Sequence, residues 1–232
     1  MICVIDNAKR KKRFPMNDCK ELRKQIIDTC LWLKQNGLVF GTWGNISVKL
    51  DDGNILITPS KVAYEDMTEE DLVVLAPDGT VVSGNRLATS EREIHRGIMN
   101  ARKDAGAIIH MHSPKAMAVC AREGGVPVIS EEMCQLIGGA IPLTNRFVPS
   151  EEHVELGKVV LESMTDVNAI LIRNHGPVCI GRTLEEAKIC CLVVEKNCGI
   201  YLDLLASGQY NEIPEEYVKA GRNYFLYKYG KS

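Results

Sequence analysis

Long apolar runs are missing from this 232-residue chain, and none approaches the roughly 20 residues that a membrane-spanning helix needs. No charged lead, apolar stretch and small-residue cleavage site stand together near the start, so the expected location is the cytoplasm, with no membrane partner. Neither sign of charge dominates. The formal net charge is -2, which gives no electrostatic reason to expect a nucleic acid partner. Cysteine is present, but nine is an odd number and no CxxC occurs. Cys30, Cys190, Cys191 and Cys198 fall inside helical patterns, where they read as small, reduced core residues. Histidine is rare, five in all, so the placement of each is informative.

With 45% hydrophobic and 25% charged residues, the chain can bury one substantial core without staples. A basic run, Lys9 to Arg13 ("KRKKR"), lies in an expected solvated, flexible arm over residues 1–16, and residues 17–232 are expected to form a single domain. In that domain "NDCKELRKQIIDTCLWLKQNG" places Leu22, Ile26, Cys30 and Leu33 at helical spacing, between capping residues Asn17 and Asp18 and a stop at Gly37. "NISVKL" and "NILITP" are joined through Asp51, Asp52 and Gly53, a hairpin signal, and "APDGT" turns between two further short runs.

"TSEREIHRGIMNAR" sets Ser90 three residues before Glu93, a capping-box pattern, with Ile94, Ile98 and Ala101 on one stripe; Glu91 then falls in the first helical turn. "AGAIIHMH" reads as a strand, and Ser113 and Pro114 can cap and open a helix through Met117 and Cys120. "VPVIS" reads as a short strand, Ser150 as the start of a helix through Val154, Val160 and Met164, and "NAILIRNHG" as a strand ending at His175. Thr183 with Glu186 predicts another capping box, opening a helix through Ala187, Cys190, Val194, Cys198 and Tyr201. Several connections are too short for parallel crossovers, so the expected class is α/β with a central, mainly antiparallel sheet flanked by helices.

His110 and His112 stand two apart at the end of an apolar strand, so their side chains leave the same face about 6.5 to 7 Å apart. Two imidazoles at that spacing can turn toward one cation, roughly 2 Å from each nitrogen. Alone, such a pair is equally well two half-exposed polar residues. His175 offers a third imidazole at another strand end, before a glycine that lets the backbone turn away. Glu91 offers a carboxylate, although its place also suits a plain partner for the helix dipole. His95, four residues after Glu91, and His153 read as ordinary polar positions.

Three further pieces suggest an anion site: Thr42, Gly44 and Asn45 beside Gly41, Ser60 with Lys61, and Thr89 with Ser90 at a helix N-terminus. Hydroxyls, an amide, a lysine and free backbone N–H groups can together hold a phosphate.

In order, "GTWGNISV", "LITPSK", "ATSEREIH", "HMH" and "RNHGP" resemble the class II sugar-phosphate aldolase family, the family of L-fuculose-1-phosphate aldolases and L-ribulose-5-phosphate 4-epimerases. The resemblance covers residues 18 to 205. It implies a homotetramer of α/β subunits with one divalent ion per subunit, Zn2+ or alternatively Mn2+ or Co2+, held by His110, His112 and His175. It implies Glu91 as the catalytic acid/base, with a pKa raised in a partly closed site, and a phosphate cradle from Thr42, Gly44, Asn45, Ser60, Thr89 and Ser90. Lys61 stands where the aldolase branch has a glycine. The implied activity is a lyase reaction: cleavage of a ketose 1-phosphate to dihydroxyacetone phosphate and an aldehyde through a metal-stabilised enediolate, with a 4-epimerase or a dehydratase as alternatives.

Two features stand outside the match. Where the aldolase branch has a tyrosine after the strand matching "VPVIS", this chain has Glu131, a second candidate catalytic residue reminiscent of the dehydratases of the superfamily, followed by Glu132. The C-terminal Tyr224, Tyr227 and Tyr229 have the spacing of an aromatic packing stripe, or could reach a neighbouring subunit. A non-catalytic module, like the adducin head domain, would have no reason to keep three histidines together with Glu91.

Overall fold

The computed structural model describes residues 19–230; the expected arm and the capping residues Asn17 and Asp18 lie outside the described residues. The first helix, α1, runs Lys20–Gln35 and buries Ile26, Cys30 and Leu33, the stripe its spacing predicts. Strands β1 (Gly44–Lys49) and β2 (Ile55–Ile57) form the expected hairpin, and β3 (Val73–Leu75) and β4 (Val81–Ser83) the next. After α2 (Arg92–Ala101) and β5 (Ala107–Met111) come α3 (Pro114–Cys120), a wide helical turn over Met133–Ile137, and α4 (His153–Ser163). The chain ends with β6 (Ala169–Ile172), β7 (Gly176–Gly181), α5 (Leu184–Ser207) and α6 (Glu215–Tyr227).

The strands form one seven-stranded sheet in the order β4-β3-β2-β1-β5-β7-β6, with antiparallel pairing at every ladder. Because side chains alternate across a strand, the sheet divides the core into two apolar layers. Ile46, Val48, Ile109, Met111 and Cys179 join α1, α3 and α5 on one face. Ile108, Val178 and Ile180 join Ile94 and Ile98 of α2 and Leu156 and Val160 of α4 on the other. By the same alternation Asn45 and Ser47 of β1, and His110 of β5, face the α2 side. No helix among the described residues is long and apolar enough to cross a membrane.

Several local expectations are corrected. "VPVIS" forms no strand; only Val126 pairs, in a single bridge to Ile141. Two prolines, Pro127 and Pro142, flank that bridge and lack the N–H groups that would extend it. The capping box of α2 does not close: Glu91 itself is the N-cap residue and Glu93 instead binds Arg96. Ser113 makes no cap bond; the Glu195 carboxylate of α5 accepts the N–H groups of Lys115 and Ala116 at 2.9 and 3.0 Å. The helix expected from Ser150 begins at His153, and Val154 is exposed. Thr183 caps α5 by accepting the Glu186 N–H, while the Glu186 carboxylate turns to Arg182. The C-terminal tyrosines do not pack inward: Tyr224, Tyr227 and Tyr229 are all exposed, with Tyr224 resting edge-on against Tyr229.

Candidate metal centre

Register brings the site together. Across the β1–β5 ladder Asn45 lies opposite His110, and across β5–β7 His110 lies opposite Val178. The β6–β7 hairpin then returns His175 to the same corner. Its turn is made by Asn174, which adopts the left-handed φ of +54°, and not by Gly176 as the sequence suggests. Gly176 is needed for closeness: a Cβ there would stand 2.4 Å from the Met111 carbonyl, and 3.2 and 3.3 Å from the His112 and His110 rings. Gly44, expected as a flexible phosphate-loop residue, opens β1 and is also tightly packed, its Cβ position 2.7 Å from Val39 Cγ2.

The three imidazoles form a propeller. Their ring centroids are 4.9 Å apart in each pair, with interplanar angles of 80°, 86° and 83°. One ligand atom from each of Glu91, His110, His112 and His175 falls within 4.8 Å of every other. His110 Nε2 is 3.0 Å from His112 Nε2 and 3.4 Å from Glu91 Oε2, and His175 Nε2 is 2.9 Å from Glu91 Oε1. The Nδ1 of His110 donates to the Pro177 carbonyl at 2.9 Å, which fixes that tautomer and leaves the Nε2 lone pair pointing into the cluster.

Burial pushes the His110 and His112 imidazoles down, to about 4 and about 3, so both are neutral donors at pH 7. Burial works to raise the Glu91 carboxyl, but the His110 and His175 rings and the Asn45 amide outweigh it and hold Glu91 below the ordinary carboxylate range. That reverses the expected raised pKa. Three imidazoles and one carboxylate, converging from two strand ends and a helix N-terminus, suit a divalent metal ion with N and O ligands.

Above the cluster opens a cleft of about 740 Å3. Thr42, Gly44, Asn45, Ser60, Lys61, Thr89 and Ser90, the full set expected around a phosphate, line it together with Glu91, His112 and His175. Trp43, two-thirds exposed, stacks over His112 at 6.5 Å between ring centroids. Glu131 is not brought there. It is exposed, just before the wide turn, where neighbouring Glu132 pairs with Lys196 of α5, so within this chain Glu91 is the acid of the histidine cluster, and Glu151 is a second acid lining the cleft. His153 stands at the start of α4, outside the cluster.

The residue that the sequence undervalues is His95. It is wholly buried, with Nδ1 2.6 Å from Ser47 Oγ and Nε2 2.5 Å from Asn45 Oδ1; Asn45 Nδ2 is in turn 2.6 Å from Glu91 Oε2.

Residues 24–202 match the family model described as Class II Aldolase and Adducin N-terminal domain. The chain belongs to that family. It is 33% identical to the L-fuculose phosphate aldolase of Escherichia coli over 186 residues, covering 80% of this chain and 85% of that protein. It is 30% identical to the L-ribulose-5-phosphate 4-epimerase UlaF of Salmonella paratyphi B over 187 residues, covering 76% and 82%. A solved L-fuculose 1-phosphate aldolase superposes with a TM-score of 0.81 at 26% identity, over 89% of this chain and 97% of that one. Family and fold therefore agree with the resemblance carried by the sequence motifs, while the relatives divide between a lyase and an epimerase.

Proposed function

We propose that the protein is a metal-dependent aldolase that cleaves a ketose 1-phosphate to dihydroxyacetone phosphate and an aldehyde. The observation that carries this reading is the convergence of Glu91, His110, His112 and His175 at the floor of a cleft lined with hydroxyls, an amide and a lysine. His110, His112 and His175 would hold a divalent ion, which would supply Lewis acidity to the substrate's carbonyl. Thr42, Asn45, Ser60, Lys61, Thr89 and Ser90 hold the phosphate and so fix which carbon faces Glu91. As the carbon–carbon bond breaks, the hydroxyl that becomes the aldehyde oxygen gives up its proton; the ionised Glu91 takes up one proton, from that hydroxyl or from solvent, and delivers it to the carbon that carried the bond, and the synthetic direction reverses these transfers. Asn45 keeps that carboxylate oriented. With this reading go a homotetramer, a cytoplasmic location and Zn2+ as the ion, read respectively by analytical ultracentrifugation, cell fractionation and metal analysis.

The similarity to a 4-epimerase favours one alternative on the same groups, in which the fragments are rejoined before release. The deciding experiment supplies Zn2+-loaded protein with a panel of ketose 1-phosphates and pentulose 5-phosphates and follows products by NMR. An aldolase yields two carbon fragments; an epimerase yields one isomer. Glu91→Gln is expected to retain the ion and lose at least about 100-fold in turnover, the scale of a lost general acid/base. Near-native turnover in that variant would remove Glu91 from its role.

A further inference from the structure

We propose that His95 is a positioning residue for Glu91, acting through Asn45: it holds the Asn45 side chain so that the amide nitrogen, and not the oxygen, meets the Glu91 carboxylate.

The chain of contacts has only one consistent direction. A carboxylate accepts and cannot donate, so Asn45 turns its NH2 to Glu91 Oε2 at 2.6 Å. The Asn45 oxygen then faces His95 Nε2 at 2.5 Å and can only accept, so Nε2 carries the proton. In the neutral ring that leaves Nδ1 bare, and Ser47 Oγ, 2.6 Å away, donates to it. Burial, only partly countered by the Glu91 charge, pushes the His95 imidazole down to about 4, in keeping with a ring that stays neutral. Ser47, His95 and Asn45 thus form a relay of hydrogen bonds that terminates on one oxygen of Glu91. The other oxygen, Oε1, faces His175, and Oε2 itself lies 3.4 Å from His110 Nε2.

Two of these groups have no access to solvent in which to find another partner, and the third has little. Ser47 and His95 are wholly buried and Asn45 nearly so. Replacing His95 by an apolar residue leaves the Asn45 oxygen unpaired and the Ser47 hydroxyl with only the Met99 sulfur, 4.0 Å away, so the amide loses its anchor on the α2 side and shifts toward the cleft that Asn45 lines, where water can satisfy its oxygen. Its NH2 would then be drawn off the carboxylate. Glu91 would then lose its tether and swing. The register makes the relay possible, because Asn45 and Ser47 share the β1 face that α2 covers, with His95 one turn after Glu91 on that helix.

This inference rests on Glu91 belonging to the metal centre, as proposed above, but its test needs no substrate. Chelator-stripped wild-type protein, His95→Leu, His95→Gln and Ser47→Ala are titrated with Co2+, following the visible absorption of the bound ion. Glutamine can donate to Asn45 from Nε2 and accept from Ser47 at Oε1. The Leu variant is expected to bind Co2+ about 10-fold more weakly or worse, the range for loss of outer-shell partners, with an altered band; the Gln variant is expected to keep the wild-type spectrum. In parallel, 15N NMR of the metal-free wild type is expected to show His95 as the neutral Nε2–H tautomer, and Ser47→Ala to lose that fixed tautomer. Should His95→Leu fail to fold by circular dichroism, the contrast between Ser47→Ala and the wild type decides by both readouts. A folded Leu variant with the wild-type spectrum and affinity, a Gln variant as impaired as the Leu variant, or an Nδ1–H tautomer in the wild type would overturn the proposal. Failure of every substrate in the product assay, with these signatures intact, would count against the aldolase reading alone.

Discussion

Gly176 of β7 lies directly against the Met111 carbonyl of β5, so close that a single added methyl group would sit 2.4 Å from the oxygen. The same methyl would press on the His110 and His112 rings at 3.3 and 3.2 Å. A backbone oxygen cannot swing aside like a side-chain tip, so the strands must part. Gly176→Ala is expected to lower stability by about 2 kcal/mol or more, the scale of an overpacked core, and to weaken Zn2+ binding at the same time. Thermal unfolding and isothermal titration read the two effects, and an unchanged metal affinity would show that the ring positions do not depend on this contact.

His112 separates metal affinity from folding. It stands just past the end of β5 and is only half-buried, whereas His110 is fully enclosed. Removing the ring opens a gap at the cleft floor and leaves the apolar layers intact. His112→Ala is expected to lose at least about 100-fold in Zn2+ affinity, more than an outer-shell change costs, while the metal-free protein melts within a few degrees of the metal-free wild type. Metal content by mass spectrometry after dialysis, with parallel melting curves, checks both halves.

Acid sensitivity follows from the buried imidazoles. An unfolded histidine takes up a proton near pH 6.5, while burial delays protonation of His95 and His110 to about 4 and of His112 to about 3 in the folded chain. Between those limits the unfolded state binds more protons, so stability rises with pH and is lost as pH falls from about 6.5 toward 4. Glu91, held low, adds a loss of the same sign at still lower pH. The urea midpoint of the metal-free protein is expected to fall steadily over that window. A flat profile between pH 6.5 and 4 would mean that these rings are protonated, or solvated, in the folded protein.

Much of this site can be read from spacing. The His-x-His pair at the end of an apolar strand, the histidine before Gly176 and the Glu91 carboxylate are local patterns, and the hairpins and helices that carry them obey simple periodicities. Register is a different matter. Nothing local states that Asn45 pairs with His110, and without that pairing the link from β1 to Glu91 is invisible. The stripe read on α2 holds at Ile94 and Ile98, which the fold buries together with His95 and Met99, and fails at Ala101, which is exposed. The reason is tertiary: α2 packs between the sheet and α4, so its apolar face is wider than a single ridge. The loop strand at Val126 and the caps of α2 and α3 failed for a related reason, since their partners, Ile141, Arg96 and Glu195, were chosen by packing.

Lys61 departs from the glycine of the aldolase branch, and its backbone shows why glycine suits the place: φ is +59°, in the left-handed region. An L side chain there costs about 1 to 2 kcal/mol, and glycine would take back roughly 0.5 to 1 through the freedom it gains in the unfolded chain. Lys61→Gly is therefore expected to melt no lower than the wild type, with a gain of up to about 1.5 kcal/mol. Lys61 lines the cleft together with Ser60 and Ser90, so the same change should weaken phosphate binding, by about tenfold if the charge contributes about 1.4 kcal/mol. Lys61→Met keeps the strained backbone and removes only the charge. If the lysine is retained for the anion, Met and Gly variants lose affinity for inorganic phosphate equally, only the Gly variant gains stability, and the wild-type affinity alone declines steeply with added salt. Equal phosphate affinity in all three proteins would show that the lysine is tolerated at this turn without serving the cleft.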